Sequence, residues 1–156
     1  MVDYKITKTE FGERPKFDLP NVNFLKTVSE DGFTEMMNDF YDLVIESDIA
    51  NFFPQEKAEI DRIKHHNTKF FIEACGGTKD YTHQMGHTDM IKMHEEFSIP
   101  DKARIIWLAC WKELLPAVQE KYGVSDEDMQ SYWDYLEIFS KHLVNVDVTI
   151  DQDKNW

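Results

Sequence analysis

The chain has 156 residues, 42% of them hydrophobic and 13% aromatic, which suits one domain with one core. Its net charge of −13 argues against nucleic-acid binding, because a second polyanion would be repelled. No apolar run approaches the roughly 20 residues of a membrane span, and the first residues show no apolar leader, so we expect a cytoplasmic protein. Two cysteines, Cys75 and Cys110, are too few for a disulfide framework and are expected to be reduced core thiols.

The first part of the chain divides into an extension and a helix. Residues 1–24 contain prolines and alternating charges without a sustained period, so we expect an irregular N-terminal extension, with a short helix near residues 24–28. From Asp31, a candidate N-cap, apolar residues recur every three or four positions and predict a helix to about Glu46. Tyr41 lies inside that apolar stripe, where its hydroxyl needs a partner or a ligand cavity.

The next predicted helix carries polar residues on an apolar face. It runs from Glu56 to Cys75 and should end at the glycine pair that follows. One face of it holds Ile63, His66, Asn67 and Phe70, which is the pattern expected of a wall of a cavity with polar groups.

The second half of the chain predicts two long helices. Residues 78–88 are expected to form a loop, followed by a short helix from Asp89 to His94. The hydrophobic pattern then predicts a helix over residues 101–122 and a last helix after a capping box that begins at Ser125. Residues 147–156 are expected to be a frayed tail, and no strand pattern or internal repeat is evident.

The most informative stretch surrounds His94. By itself, this histidine is expected to cap a helix C-terminus at the surface, and Trp107 and Tyr41 are expected simply to pack in the core. However, six residues follow the spacing His-x-x-Phe-x-Ile-x4-Arg-x-x-Trp-Leu, namely His94, Phe97, Ile99, Arg104, Trp107 and Leu108. This run closely resembles the proximal-histidine region of the group II truncated haemoglobins. The similarity extends over residues 25–146, which form the predicted truncated globin domain.

The resemblance implies an all-α fold, a two-on-two helical sandwich around haem b. It implies that His94 is the axial iron ligand and that Tyr41, Trp107 and Asn67 hydrogen-bond a diatomic ligand on the distal side. Ile63 would stand where ordinary globins have a distal histidine. The resemblance also implies that the haem packs against a set of further residues: Phe53, Ile63, Phe70, Met90, Phe97, Ile99 and Trp107.

Two positions depart from the family pattern. Met93 replaces an arginine that commonly precedes the proximal histidine, and His66 aligns with another common arginine. The haem propionates would therefore need other partners, for which the candidates are Lys92, Tyr81, Lys69 and His66. A sharper hypothesis is that His66 binds the iron as a sixth ligand when no other ligand is present.

The function implied by the resemblance is binding of O₂, and also of NO and CO, with NO-dioxygenase or peroxidase-type redox chemistry as its enzymatic form. That form would need an electron-donating reductase as a partner. Two alternatives remain open at the level of sequence: a non-catalytic ligand sensor or carrier, and a haem-free acidic helical interaction module. A monomer and a homodimer are equally compatible with the sequence.

Overall fold

A computed structural model describes residues 1–86, 90–94 and 97–146. Within these ranges the chain contains helices and irregular segments but no strand. The helices are α1 (Val22–Val44), α2 (Lys57–Ala74), α3 (Asp80–Met85), α4 (Met90–Met93), α5 (Asp101–Tyr122) and α6 (Asp126–Phe139), and short 3₁₀ helices cover Ala50–Phe52 and Ser140–Leu143. No described helix is both long and apolar enough to cross a membrane. The predicted tail, residues 147–156, lies outside the described residues.

Helix α1 is bent at Ser29, which has φ 71° and ψ 164°. The hydroxyl oxygen of Ser29 accepts a hydrogen bond from the backbone N–H of Gly32 at 3.2 Å and so caps the second part of the helix. The prediction that Asp31 is the N-cap was therefore wrong by two residues. The predicted short helix at residues 24–28 does form, as the first part of α1.

The other predicted boundaries that fall on described residues agree with the structure to within a few residues, except at α3, while the predicted helix start at Asp89 lies outside the described residues. Helix α2 ends at Ala74 with Cys75 as its C-cap, one residue before the predicted end, and the left-handed Gly76 (φ 89°) follows, as predicted. Ser125 accepts a hydrogen bond from the Asp128 backbone N–H at 3.1 Å at the start of α6. The prediction of a loop over residues 78–88 was wrong, because Asp80–Met85 is helical. A helix of this length is too short to show a clear hydrophobic period.

Aromatic side chains hold α1, α5 and α6 together. Phe40 of α1 stacks on Trp111 of α5 at 4.1 Å between ring centroids, and Phe24 stacks on Tyr132 of α6 at 4.2 Å. Trp111 and Tyr132 are themselves in edge contact at 5.6 Å. All four of these rings are at most 1% exposed. Burial of such large apolar rings is a major part of the stability of the fold.

Residues 1–21, here called the N-terminal strap, pack along α6. The indole N–H of Trp133 donates to the Lys5 carbonyl at 2.9 Å, and the Thr7 backbone N–H donates to the Glu137 carboxylate at 3.0 Å. Phe17 makes edge contacts with Tyr135 and Phe139. The strap therefore lacks regular secondary structure but is bound to the helical domain.

A buried charge network joins this strap to α5 and α6. Arg104 is 3% exposed and donates five hydrogen bonds, to Asp101, Glu137 (twice), Ser140 and the Thr7 carbonyl. Burial by itself would raise the pKa of Glu137, but hydrogen bonds from Thr7 and Arg104 lower it below its usual value. The guanidinium is thus fully hydrogen-bonded and paired with carboxylates, as a buried charge requires.

Candidate functional site

A cavity of about 380 Å³ lies among α2, α3, α4 and α5. Its volume is within the range of ligand pockets, roughly 300–1,000 Å³. Most of its walls are apolar, with a few polar side chains among them. The residues that line it are Ile49, Phe52, Phe53, Arg62, Ile63, His66, Asn67, Tyr81, Met85, Met90, His94, Phe97, Ile99, Ala103, Arg104, Trp107, Ser140 and Leu143.

His94 follows α4 directly and lines this cavity. Its Nδ1 lies 2.6 Å from the Met90 carbonyl oxygen, which can only accept, so Nδ1 carries the proton of the neutral ring. Burial lowers the pKa of His94 against the opposing effect of this hydrogen bond. Nε2 has no hydrogen-bond partner among the described residues. His94 therefore presents an unprotonated nitrogen that no described residue occupies, which is the form of imidazole that binds a metal.

Asn67 and Tyr41 form a polar pair beside the cavity. Asn67 lines the cavity and its side-chain amide donates to the Tyr41 hydroxyl oxygen, while Tyr41 is 3% exposed. Burial raises the pKa of Tyr41 to about 12, although the hydrogen bond from Asn67 acts to lower it. The hydroxyl thus stays protonated at neutral pH. Because its oxygen accepts from Asn67, its own hydrogen is available to donate to a third group.

Trp107 of α5 contributes a further polar hydrogen. Its ring lines the cavity and packs against Phe40 and Phe71, at 5.7 Å and 6.4 Å between centroids. The ring is half-buried, and its indole N–H, which can only donate, is the polar group that Trp107 can offer to a ligand in the cavity.

His66 is the second histidine of the cavity wall. Its Nδ1 is buried without a hydrogen-bond partner among the described residues. Burial lowers its pKa, and the neighbouring charges of Arg62, His65 and Lys69 lower it further. Arg62, also in the cavity wall, pairs with Glu59 at 3.1 Å. This side of the cavity therefore carries a guanidinium and an imidazole, two groups that can donate hydrogen bonds to an anionic group.

The sequence model of the bacterial-like globin family matches residues 27–145, well over half of the chain. This protein belongs to the bacterial-like globin family. The match begins in the first part of α1, runs past the end of α6 and includes all the residues that line the cavity.

Solved structures similar to this globin are truncated haemoglobins and related proteins. Phosphate-bound Hell's gate globin IV has a TM-score of 0.78 and 24% identity, covering 96% of this chain and 98% of that one. The truncated oxygen-avid haemoglobin from Bacillus subtilis has a TM-score of 0.68 and 22% identity, covering 78% and 98%. The group II truncated haemoglobin from Bacillus anthracis has a TM-score of 0.68 and 21% identity, covering 78% and 95%. The predicted all-α truncated globin fold and the resemblance to group II are confirmed.

The structure of this globin brings most of the predicted site residues to one cavity. Those that line it are Phe53, Ile63, His66, Asn67, Tyr81, Met90, His94, Phe97, Ile99 and Trp107. Tyr41 adjoins it through Asn67. Phe70 is not among the lining residues; it is buried against Tyr81 and Phe139. The side chain of Lys92 lies outside the described part of the structure.

Several residues of the globin cavity had not been predicted as site residues. Arg62 lies outside the face of α2 that the hydrophobic pattern indicated as the cavity wall. Met85 lies on α3, which is too short to show a clear hydrophobic period. Arg104 and Ser140 reach the cavity as members of the buried charge network. Arg104 did carry a signal, since it belongs to the six-residue run that begins at His94.

Proposed function

We propose that this globin binds haem b, with His94 as the ligand of the iron, and that the loaded protein binds O₂, NO and CO. The observation that carries the proposal is the neutral, oriented imidazole of His94 on the wall of a largely apolar cavity. No cluster of three or more metal-binding side chains occurs among the described residues. A metal ion held by His94 would therefore take its other ligands from a bound cofactor. A porphyrin supplies those ligands and requires only one imidazole from the protein.

The rest of the cavity fits the same group. Phe53, Phe97 and Ile99 offer apolar contact to a flat macrocycle. His66, Arg62 and the Tyr81 hydroxyl are the groups that would hold its propionates, because each presents a donor or positive charge on the wall. When bound, haem iron supplies the position at which a diatomic gas binds.

The role proposed for Tyr41, Asn67 and Trp107 is hydrogen bonding to the gas ligand. Asn67 orients the Tyr41 hydroxyl by donating to its oxygen, and Trp107 offers its indole N–H from the ring that lines the cavity. Donors fixed in a dry cavity stabilise developing negative charge without reorganising. Each such hydrogen bond contributes about 1–3 kcal/mol.

The direct test is a titration of the purified apoprotein with haem, followed by reduction and addition of CO. We expect a sharp Soret band at equimolar haem and a shift of that band on CO binding. A protein that gives only the broad spectrum of free haem would contradict the proposal and would favour a haem-free interaction module.

Replacing Tyr41 with phenylalanine should speed O₂ dissociation by about tenfold to a hundredfold, since the variant loses a hydrogen bond of about 1–3 kcal/mol. Stopped-flow replacement of O₂ by CO measures this rate. Tyr122→Phe is the matched control, because Tyr122 contacts Glu35 and does not line the cavity. Equal rates in wild type and Tyr41→Phe would remove Tyr41 from the proposed role.

The same donors support a redox form of the proposal, oxidation of NO to nitrate or reduction of peroxide with electrons from an external reductase. Mixing the O₂-loaded protein with NO should give nitrate faster for wild type than for Tyr41→Phe, and added reductase should sustain turnover. Nitrate formation that stops after one equivalent with reductase present would favour a non-catalytic sensor or carrier.

A further inference from the structure

One residue near the end of the described chain, Asn145, holds the segment that follows α4. Its Oδ1 accepts from the Ile99 backbone N–H at 2.7 Å, and its own backbone N–H donates to the Ile99 carbonyl at 2.9 Å. Its side-chain Nδ2 donates to the Phe97 carbonyl at 2.8 Å and to the His94 carbonyl at 3.2 Å. A single asparagine thus makes four hydrogen bonds to three backbone positions on this segment.

These bonds complement the one made by the imidazole itself. His94 Nδ1 binds the Met90 carbonyl and fixes the plane of the ring, but Met90 belongs to a helix of only four residues. A single turn of helix is not stable without external contacts. Asn145 supplies such a contact from a distant part of the sequence, 51 residues after His94, and so fixes the backbone from which the imidazole projects.

Only an amide can make this set of contacts. The Ile99 N–H needs an acceptor, whereas the carbonyls of Phe97 and His94 need donors, and an asparagine side chain offers both. An aspartate would keep the acceptor but would place a carboxylate against two carbonyl oxygens. The choice of residue type is therefore specific and can be tested by a nearly isosteric substitution.

We infer that Asn145 is a positioning residue for His94. Through its hydrogen bonds to the backbone of His94, Phe97 and Ile99, it sets the position and direction of the His94 Nε2 atom within the cavity. This inference rests on the proposed function, because it assigns Asn145 a role toward the haem ligand. Asn145 touches neither the cavity nor the reacting atoms; it acts through His94.

The experiment compares wild type, Asn145→Asp and Asn145→Ala, with Asn38→Ala as the matched control. Asn38 is exposed on α1 and makes no contact with the cavity. In the reduced, ligand-free holoprotein we expect both Asn145 variants to shift and broaden the iron–histidine stretching band measured by resonance Raman. We also expect haem transfer to excess apomyoglobin to accelerate about tenfold, the lower end of the usual effect of residues that orient a metal ligand.

A second measurement, on the apoproteins, distinguishes a loss of His94 positioning from a general loss of structure in the segment at Ile99. Amide hydrogen exchange at Ile99 should accelerate in Asn145→Ala, which lacks the acceptor, but stay near the wild-type rate in Asn145→Asp, which keeps it. A shifted Raman band together with protected Ile99 in Asn145→Asp would support the role of the two Nδ2 donor bonds.

An unchanged Raman band and haem-loss rate in both Asn145 variants, relative to Asn38→Ala, would overturn the inference. Failure of the proposed function gives a different result: wild-type protein takes up no haem, which is seen without any variant. The inference about Asn145 would then fail together with the proposed function. Circular dichroism of each apoprotein verifies that the variants keep their helices.

Discussion

Replacing His94 with alanine should lower the affinity of the protein for haem by more than about a hundredfold. Loss of residues that merely orient a metal ligand costs about ten- to a hundredfold, and this substitution removes the ligand itself. The helical fold should persist, because His94 lies at the cavity wall and not among the fully buried core residues. Haem titration followed at the Soret band, with circular dichroism of the apoprotein, measures both effects.

Two controls make this result specific. His83→Ala removes an exposed histidine of α3 and should leave the Soret band and the affinity for haem unchanged. Imidazole added to His94→Ala should enter the space left by the side chain and restore much of the wild-type spectrum. Undiminished affinity and an unaltered spectrum in His94→Ala would show that another residue, with His66 as the first candidate, binds the iron.

Much of this fold could be predicted because the relevant signals are local. The periods of α2, α5 and α6 and the capping serine at position 125 depend on residues three or four positions apart. The spacing around His94 is also a short-range pattern, since it spans one loop and the start of α5. Helix α3 was missed because six residues do not complete two turns.

The contacts that could not be predicted connect residues far apart in sequence. Thr7 and Arg104 are 97 positions apart, and Asn145 and His94 are 51 apart. The composition of the N-terminal strap predicted an irregular segment, and the strap is irregular. Its sequence pattern, however, did not indicate that it packs on α6. The direction of a side chain on a correctly predicted helix also depends on packing, which is why Phe70 lies against Tyr81 and Phe139 rather than on the cavity wall.

The cavity thus depends on two distant supports. Asn145 donates to the backbone of His94, and Arg104, itself on the cavity wall, joins the N-terminal strap to α5 and α6. Neither support contributes to the proposed chemistry directly. Of the two, the Arg104 network should matter far more to overall stability, because it places three charged groups in the interior.

Replacing Arg104 with alanine should lower the free energy of unfolding by about 3–5 kcal/mol. Removing one partner of a buried ion pair leaves the others uncompensated, and here Asp101 and Glu137, each 4% exposed, would both lose their counter-ion. A domain of ordinary stability has only about 5–15 kcal/mol in total, so the variant should lose a large share of its stability. Urea unfolding of the apoprotein, followed by circular dichroism, gives the value.

Arg104→Lys should lose less stability than Arg104→Ala, because it keeps the charge but cannot make five hydrogen bonds. Lys121→Ala is the control: it removes an exposed pair with Glu35 and should change the free energy of unfolding by at most about 1 kcal/mol. A loss in Arg104→Ala no larger than in this control would show that the buried network contributes little.

The dependence of stability on pH gives an independent check of the same network. The folded-state pKa of Glu137 is lowered below its ordinary value of 4.5, so its contribution is present above that value and is lost as the pH falls through the folded-state pKa. Without Arg104, one cause of this lowering is absent while burial, which raises the pKa, remains. Between pH 7 and pH 4, Arg104→Ala should therefore lose less stability than wild type, and parallel pH profiles would contradict the assignment.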